Sequence, residues 1–399
     1  MPDLDALMPT SRAVDADALA EVDADVLAKY VLDPTHLWWR RKAGALALAG
    51  RVPAARVPEL IACVRDGDTS GAVRIALLDS LADRAELLPW LRHPDRATER
   101  SYGLPAAVLL ARGRLGDRAA VSDLAALAHG PWPHRGAVGA AGLAALVARH
   151  GLAAILADLD DTRPADRAFR VRARHQAGAD ITEALADPDV TVARVAYALV
   201  DDADAVRSFA DHAPTIDATL WAACALHRLG HPADTRRIYD TLGRPWVEIP
   251  GLDEEIRIAV LRRYAPGRER SDPRWRAEAL CRDLPPPPDE TELLRRATDA
   301  LNAAGLSPAP PVSCGDHHGQ GHGTYSVIDH DGGHVLVSSL GRFVTGADAN
   351  TAARTALAAN GFRWIDRTLG TILVTGLCVY HFGDRDPLEV RTLLFYWQD

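Results

Sequence analysis

Three stretches decide how this sequence folds: GAVRIALLDSLAD (71–83), TVARVAYALVDD (191–202) and EEIRIAVLRRY (254–264). Each carries an arginine inside a run of Ala, Leu, Val and Ile, and an Asp-containing turn precedes it. Apolar residues of the second stretch recur at i, i+3, i+4 and i+7 between Val192 and Leu199. This period places them on one face of a helix, so each stretch is predicted to form an amphipathic helix.

The same pattern returns along most of the chain at intervals of roughly 22–37 residues, which is the spacing of stacked helical repeats. A further clear copy follows Asp33-Pro34, and weaker copies lie between the clear ones. One helix pair of this size cannot bury a core alone, so the pairs are expected to stack on their neighbours. The predicted fold class is therefore mostly α, with an α-solenoid over residues 1–284 and a small α+β domain after it.

The Asp-turn, Val-Arg and Ala-Leu pattern of residues 15–283 resembles HEAT repeats, which have an armadillo-type fold. The similarity is greatest to the short bacterial HEAT-like repeats that also occur in phycobilin lyases. This resemblance implies an extended surface that binds other proteins, and a structural ladder of Asp and Arg side chains between successive repeats. Carried onto this sequence, the ladder consists of Asp33, Arg40, Arg74, Asp187, Arg194 and Arg257.

Four consecutive prolines, Pro285 to Pro288, are expected to end the array as a stiff spacer. A linker over 285–311 is predicted to contain one helix, TELLRRATDALNAAG (291–305). The last residues, 312–399, are predicted to form the α+β domain, and the unit of about 110 residues that includes the linker helix has the order α-β-β-α-β-β.

The segments TYSVID (324–329) and HVLVSS (334–339) flank an Asp-Gly-Gly turn and are predicted to pair as a β-hairpin. Asp348 is predicted to cap a helix that stops at Asn360-Gly361. Three further strands are predicted from their apolar and aromatic content: FRWID (362–366), TILVTGLCVYHF (371–382) and LEVRTLLFYW (388–397).

Histidines and aspartates concentrate in CGDHHGQGHG (314–323) and DHDGGH (329–334). Imidazole and carboxylate groups are suitable ligands for Zn, Ni or Fe, so a divalent transition metal is a candidate cofactor. The candidate metal ligands are His317, His318, His322 and His334, and His381 could complete the cluster. A flexible surface loop followed by a hairpin tip explains the same residues without a metal.

Catalytic motifs are incomplete in this sequence. Cys314 has histidines nearby in sequence, which makes a Cys-His nucleophile conceivable, but proximity in sequence does not establish a dyad. The glycines around His322 lack the strand and helix that a phosphate-binding loop requires. No catalytic residue is therefore assigned.

The composition is that of a folded protein: 48% of the 399 residues are hydrophobic, and the formal net charge is -9. Residues 1–288 hold about 37 basic and 41 acidic groups, whereas duplex-binding proteins need a basic footprint. Nucleic acid is therefore disfavoured as a partner. Two clusters that combine aromatic and basic side chains, Trp38–Lys42 and Trp132–Arg135, could stack on bases, but packing between helices explains them more simply.

The expected compartment is the cytoplasm. The acidic N-terminus has no signal-peptide pattern, no apolar run approaches the ~20 residues of a membrane span, and the five cysteines are widely separated.

The leading hypothesis is a non-catalytic scaffold or adaptor that binds another protein and needs no cofactor. Two alternatives stay open, namely a metal-binding protein or enzyme with its site at 314–334, and a nucleic-acid-binding repeat protein.

Overall fold

The computed structural model describes residues 4–8, 14–96, 101–130, 132–266, 271–347, 349–379 and 387–398. The chain is 60% helical, with a small region of sheet near its C-terminus, which confirms the prediction of a mostly α protein. None of the described helices combines the length and apolar character that crossing a membrane requires. The predicted cap Asp348 and the candidate ligand His381 lie outside the described residues.

The chain divides into two compact units, residues 1–173 and 174–399. The first unit contains the helices α1 (Leu4–Leu7), α2 (Ala16–Glu21), α3 (Ala24–Leu32), α4 (Trp38–Ala47), α5 (Val57–Arg65), α6 (Gly71–Ser80), α7 (Leu88–Leu91), α8 (Leu104–Arg114), α9 (Val121–Ala128), α10 (Pro133–His150) and α11 (Leu152–Ala157). Helix α12 (Pro164–Gln176) runs through the division. Alternate helices contact one another in order, α4 with α6, α6 with α8 and α8 with α10.

A recurring hydrogen bond, here called the arginine joint, connects helices to the chain before them. In α4 the Nε of Arg41 donates to the carbonyl of Val31 (2.8 Å), and in α6 the Nε of Arg74 donates to that of Val64 (2.8 Å). Both arginines are buried, and each occupies the fourth position of its helix. In both cases the carbonyl belongs to the residue ten positions earlier. This carbonyl lies in the last turn of the preceding helix, where it has no partner within the helix, and the arginine supplies a charged donor.

The second unit repeats this joint twice. Arg257, fourth in its helix, donates from Nη1 to the carbonyl of Val247 (2.8 Å), and Arg276 donates from Nη2 to that of Pro266 (2.9 Å). Arg257 also forms a buried ion pair with Glu278, with 3.0 Å between Nε and Oε1. The joint therefore occurs in both units at the same offset.

The predicted ladder residue Arg40 has a different environment. Its Nη1 lies 2.5 Å from the carboxylate of Asp5, and its Nε donates to the carbonyl of Met8 (3.0 Å). The position equivalent to Arg74 is Arg41, because helical phase, counted from the first residue of the helix, decides which arginine faces the preceding chain.

The aspartates that precede the repeated helices shape turns. Asp33 and Asp66 follow the last residues of α3 and α5, and their carboxylates accept hydrogen bonds from the backbone N–H two residues later (2.9 and 3.0 Å). These bonds, with those from Thr35 and Thr69, hold the pKa of both carboxyls below the ordinary value. Arg74 and Arg41 add to the effect at Asp66, so that carboxylate interacts with the arginines of two successive helices.

The second unit contains the helices α13 (Val190–Leu199), α14 (Ala203–His212), α15 (Ile216–Arg228), α16 (Pro232–Thr241), α17 (Glu254–Tyr264), α18 (Pro273–Cys281), α19 (Glu290–Ala303), α20 (Cys314–His318), α21 (Thr351–Ala359), α22 (Arg367–Gly370) and α23 (Val390–Leu394). Short 3-10 turns occur at Ala54–Arg56, Ala85–Leu87, Pro94–Arg96, Arg118–Ala120 and Thr182–Ala186. The predicted linker helix and the predicted helix before Asn360 correspond to α19 and α21.

Nine short strands lie after α19: β1 (Val312–Ser313), β2 (His322–Gly323), β3 (Tyr325–His330), β4 (Gly333–Ser338), β5 (Phe343–Gly346), β6 (Arg363–Trp364), β7 (Leu373–Val374), β8 (Leu388–Glu389) and β9 (Trp397–Gln398), counted over the described residues. The main sheet has the order β1-β3-β4-β5-β6, in which only the β5–β6 pair is parallel. Strands β3 and β4 form the predicted hairpin, with His330 opposite Gly333. Two further pairs, β2–β9 and β7–β8, are antiparallel.

The predicted long strand LEVRTLLFYW is wrong. Its centre is helix α23, flanked by the two-residue strands β8 and β9. Val390, Leu393 and Leu394 are buried together at helical spacing. A short apolar run is compatible with the period of a strand and with that of a helix. Here the burial of one helical face favours the helix.

The four prolines do not separate two cores. Ile256, Val260 and Trp275 precede them, yet these side chains share one hydrophobic core with C-terminal residues such as Val374 and Leu394. The compact units accordingly divide at 173/174 and not at the predicted boundary after residue 284. The apolar faces of α17 and α18 need a cover, and the C-terminal segment supplies it.

Candidate functional site

The second unit contains a pocket of about 570 Å³ where three helices begin. Its wall comes from the loop before α13, the first turns of α15, the start of α18 and the segment 376–378. The carboxylates of Asp187, Asp217 and Asp272 line it, together with the indole of Trp221. Residues far apart in sequence therefore converge on one cavity, as ligand sites commonly require.

Each carboxylate of this acidic pocket is held by a local contact. Asp187 accepts a hydrogen bond from the backbone N–H of Asp189 (2.9 Å). Asp217 lies 2.6 Å from Nη2 of Arg274, whose Nη1 lies 2.8 Å from Asp272. Asp272 also caps α18 by accepting from the backbone N–H of Arg274 (2.9 Å). Burial raises the pKa of Asp272 above its ordinary value, and the contacts with Arg274 act in the opposite direction.

Carboxylates outnumber basic side chains among the described residues that line the pocket, which include three aspartates and no lysine or arginine. Asp189, which caps α13, brings the nearby carboxylates to four, and Arg274 contacts Asp217 and Asp272 from outside the lining. The three helix N-termini contribute a positive end of about half a charge each, and their first N–H groups already bind the capping side chains. The excess favours a cationic group over an anionic one.

The apolar part of the pocket comes from aliphatic and aromatic side chains. Trp221 is buried and packs on Tyr197, with 5.6 Å between ring centroids. Val190 lines the pocket and is partly exposed, and Ile216, next to Asp217 in the chain, is half exposed. A cation carried on an aliphatic stem matches this combination, because the stem contacts the apolar wall while the charge approaches the carboxylates.

The histidines predicted as metal ligands occupy several elements. His317 and His318 lie in α20, His322 in β2 and His334 in β4, opposite Asp329 in the hairpin. His318 Nε2 lies 2.9 Å from the hydroxyl of Tyr325, and its ring centroid is 4.5 Å from that of Trp397. In the part of the chain that the structure describes, no group of three His, Cys, Asp or Glu side chains is arranged to hold a metal. The metal site stays a prediction.

Two of the predicted ladder residues lie on α13 and in the loop before it. Arg194 is partly buried on α13, and Asp187 lines the acidic pocket. Sequence reasoning missed Asp272, Trp221 and Asp217 as residues of a site. Asp272 follows the helix-capping pattern and could have been found as a cap, but the sequence holds no signal that three helix starts meet.

Comparisons with known proteins add no relative to this description. No family model matches the chain, and no match was found among curated proteins or among solved structures.

Proposed function

We propose that this chain is a cytoplasmic HEAT-like repeat protein, with its helix pairs stacked as an α-solenoid, that binds another protein as a scaffold. In this proposal the acidic pocket receives a Lys or Arg side chain of the partner. The observation that carries it is the convergence of Asp187, Asp217 and Asp272 on one cavity with an aromatic wall.

The repeat assignment is supported by the arginine joint. Arg41 and Arg74 stand 33 residues apart, and so do their acceptors Val31 and Val64. The ordered contacts from α4 to α10 in the first unit, and those of α13 with α15 and α15 with α18 in the second, fit stacked helix pairs. Proteins of this type present long surfaces on which partners bind.

The choice of a basic partner is supported by the distribution of charge. Residues 1–173 contain 22 basic and 22 acidic side chains, whereas residues 174–399 contain 23 basic and 32 acidic ones. The whole net charge of -9 therefore resides in the unit that contains the acidic pocket. Complementary charge attracts a basic segment and excludes acidic ones.

The test compares two fluorescent peptides that differ by one charge. One has a single arginine between leucine and valine residues, and the other has citrulline in its place, which keeps the shape and removes the charge. Fluorescence polarisation should show that the full-length protein binds the arginine peptide at least tenfold more tightly, because only this peptide pairs with the carboxylates.

Matched variants locate the binding. D187N/D217N should abolish the preference for arginine, while D211N, which removes an exposed carboxylate on α14, should keep it. Equal affinity of the wild-type protein for the two peptides, or an unchanged preference in D187N/D217N, would contradict the proposal.

A further inference from the structure

A second pocket of the unit 174–399 is lined by three arginines and three carboxylates. We propose that it binds an anion that carries a carboxylate or phosphate group on an apolar body, through the guanidinium groups of Arg296 and Arg342. This inference is independent of the proposed function, since the two pockets share no residue.

The pocket has a volume of about 390 Å³ and lies among α17, the proline segment, the start of α19 and the turn between β4 and β5. The buried side chains of Leu293 and Phe343 form an apolar part of the pocket wall. A rigid part of the wall consists of Pro285, Pro286 and Pro288. A cavity that combines apolar walls with a few polar groups is the usual form of a small-molecule site.

The two arginines border the same point in space. A Cβ placed on Gly361 would lie 3.5 Å from Nη1 of Arg342 and 3.8 Å from Nη2 of Arg296. Two guanidinium groups that border one point repel each other, and an anion between them would be attracted to both. The planar fork of an arginine also matches carboxylate and phosphate oxygens.

The donors of these arginines are largely available. Arg296 gives one hydrogen bond, from Nη2 to the carbonyl of Asn360 (2.8 Å). The side chain of Arg342 forms no hydrogen bond or ion pair with any residue that the structure describes. Arg262, also in the wall, is bound to the carbonyls of Pro286 (3.1 Å) and Leu340 (2.6 Å), so it contributes positive charge from a fixed position.

Three carboxylates also line the pocket, and two of them have other partners. Asp289 caps α19 by accepting from the backbone N–H of Glu292 (3.2 Å). Glu292 is held by Arg295 through two hydrogen bonds of 2.8 and 2.7 Å. Glu255 is the remaining one. The positive charge of Arg296 also helps to lower the pKa of Glu292, but among the described residues neither Arg296 nor Arg342 forms an ion pair with these carboxylates.

The experiment measures anion binding to the full chain by isothermal titration calorimetry, with inorganic phosphate, phenyl phosphate and benzoate as probes. Sodium chloride at equal ionic strength corrects for general screening. We expect saturable binding of phenyl phosphate or benzoate that is tighter than binding of inorganic phosphate, because the apolar body contacts Leu293 and Phe343. Whether the phosphate or the carboxylate probe binds more tightly identifies the recognised group.

Variants assign the site. R342Q and R296Q should each weaken binding at least tenfold, and R342K, which keeps the charge but loses the fork, should weaken it less. R367Q removes an exposed arginine of α22 outside the pocket and should stay within twofold of the wild type. Far-UV circular dichroism checks that the variants are folded. The inference is overturned if none of the three probes shows saturable binding. It is also overturned if R342Q and R296Q are both folded and both bind the probes with wild-type affinity.

Discussion

Four arginines, Arg41, Arg74, Arg257 and Arg276, carry their charge into the interior of the protein. A buried charge is costly unless its donors are satisfied, and a backbone carbonyl ten residues earlier partly satisfies each of these. Arg257 has the most complete environment, since its guanidinium also lies 4.4 Å from the ring centroids of both Trp246 and Trp275. These hydrogen bonds connect each arginine to the chain that precedes its helix.

Replacing Arg74 by Met removes the joint while it keeps most of the apolar stem. The buried carbonyl of Val64 then loses its charged donor, so we expect the free energy of unfolding to fall by about 1–3 kcal/mol. Urea denaturation followed by circular dichroism measures this loss. K42M, on the exposed side of α4, is the control and should change stability by less than about 0.5 kcal/mol.

His330 makes the hairpin sensitive to pH. It is buried; its Nδ1 accepts a hydrogen bond from the backbone N–H of Gly332 (3.0 Å), and its Nε2 lies 2.8 Å from the amide group of Asn350. Burial lowers the pKa of His330 below 6.5; Asp331 raises it, His334 lowers it further, and Asp329 raises it. Protonation of Nδ1 would break the bond to Gly332.

The unfolded chain therefore takes up this proton at a higher pH than the folded one. Stability from His330 is complete above pH about 6.5 and decreases as the pH falls toward the lower, folded pKa. Urea midpoints at pH 8 and pH 5 should differ less for H330Q than for the wild type, whereas H334Q, at an exposed position, should follow the wild type. A wild-type difference that persists unchanged in H330Q would contradict this prediction.

The arginine that sequence reasoning selected in α4 is not the one that forms the arginine joint. Counting from Asp33 gave Arg40, whereas counting from the start of the helix gives Arg41, as in α6 and α17. Helix starts are the least certain feature of a pattern, and an error of one residue rotates a side chain by about 100°. The sequence analysis also did not single out Arg276, the fourth residue of α18.

At the scale of elements, helices α8 and α10 approach each other through glycine. A Cβ at Gly113 would lie 2.8 Å from the carbonyl oxygen of Gly142, and one at Gly142 would lie 2.5 Å from Cδ2 of Leu124. Backbone cannot withdraw as a flexible side chain can, so the contact at Gly113 sets the distance between the two helices. Glycine at these two positions thus permits the close approach of the helices.

G113A should lower the free energy of unfolding by about 1–2 kcal/mol, since overpacking outweighs the gain in helix propensity. G136A is the matched control in α10, because its nearest contact would be 3.3 Å from the carbonyl oxygen of Ala128. Thermal unfolding of the two variants should therefore separate, with G136A close to the wild type. Equal stability of G113A and G136A would show that the helices can move apart.

Elements with strong local signals were predictable. The hairpin β3–β4 follows from alternation around an Asp-Gly turn, and α19 and α21 follow from a cap or from glycine at their ends. The segment after residue 370 was not predictable, because short apolar runs are compatible with either period. The acidic pocket could not be predicted from the sequence for a different reason. It exists because the starts of three helices lie next to one another in the folded chain.

At the scale of the whole molecule, charge is distributed unevenly between the two compact units. The first has no net charge, and the second carries all of it. Long-range attraction acts on the rate of encounter, whereas contacts within a pocket act on the rate of release. The two effects are therefore separable by kinetics.

For a basic peptide that binds the acidic pocket, raising the salt concentration from about 50 to about 500 mM should slow association severalfold, because the Debye length shortens. Stopped-flow fluorescence should show that D211K, which alters only an exposed charge, slows association and leaves release unchanged. D217N should instead speed release. An association rate independent of salt would contradict this expectation.

The arginine joint bears on how such a chain can change in length. Donor and acceptor lie ten residues apart, so a tandem duplication of 33 residues copies both halves of the joint together. A 33-residue unit inserted in this way contains its own arginine joint and leaves the neighbouring joints intact. Insertion or deletion of a whole 33-residue unit therefore keeps these hydrogen bonds. A deletion that ends between the arginine and its acceptor would instead leave a buried guanidinium without that acceptor.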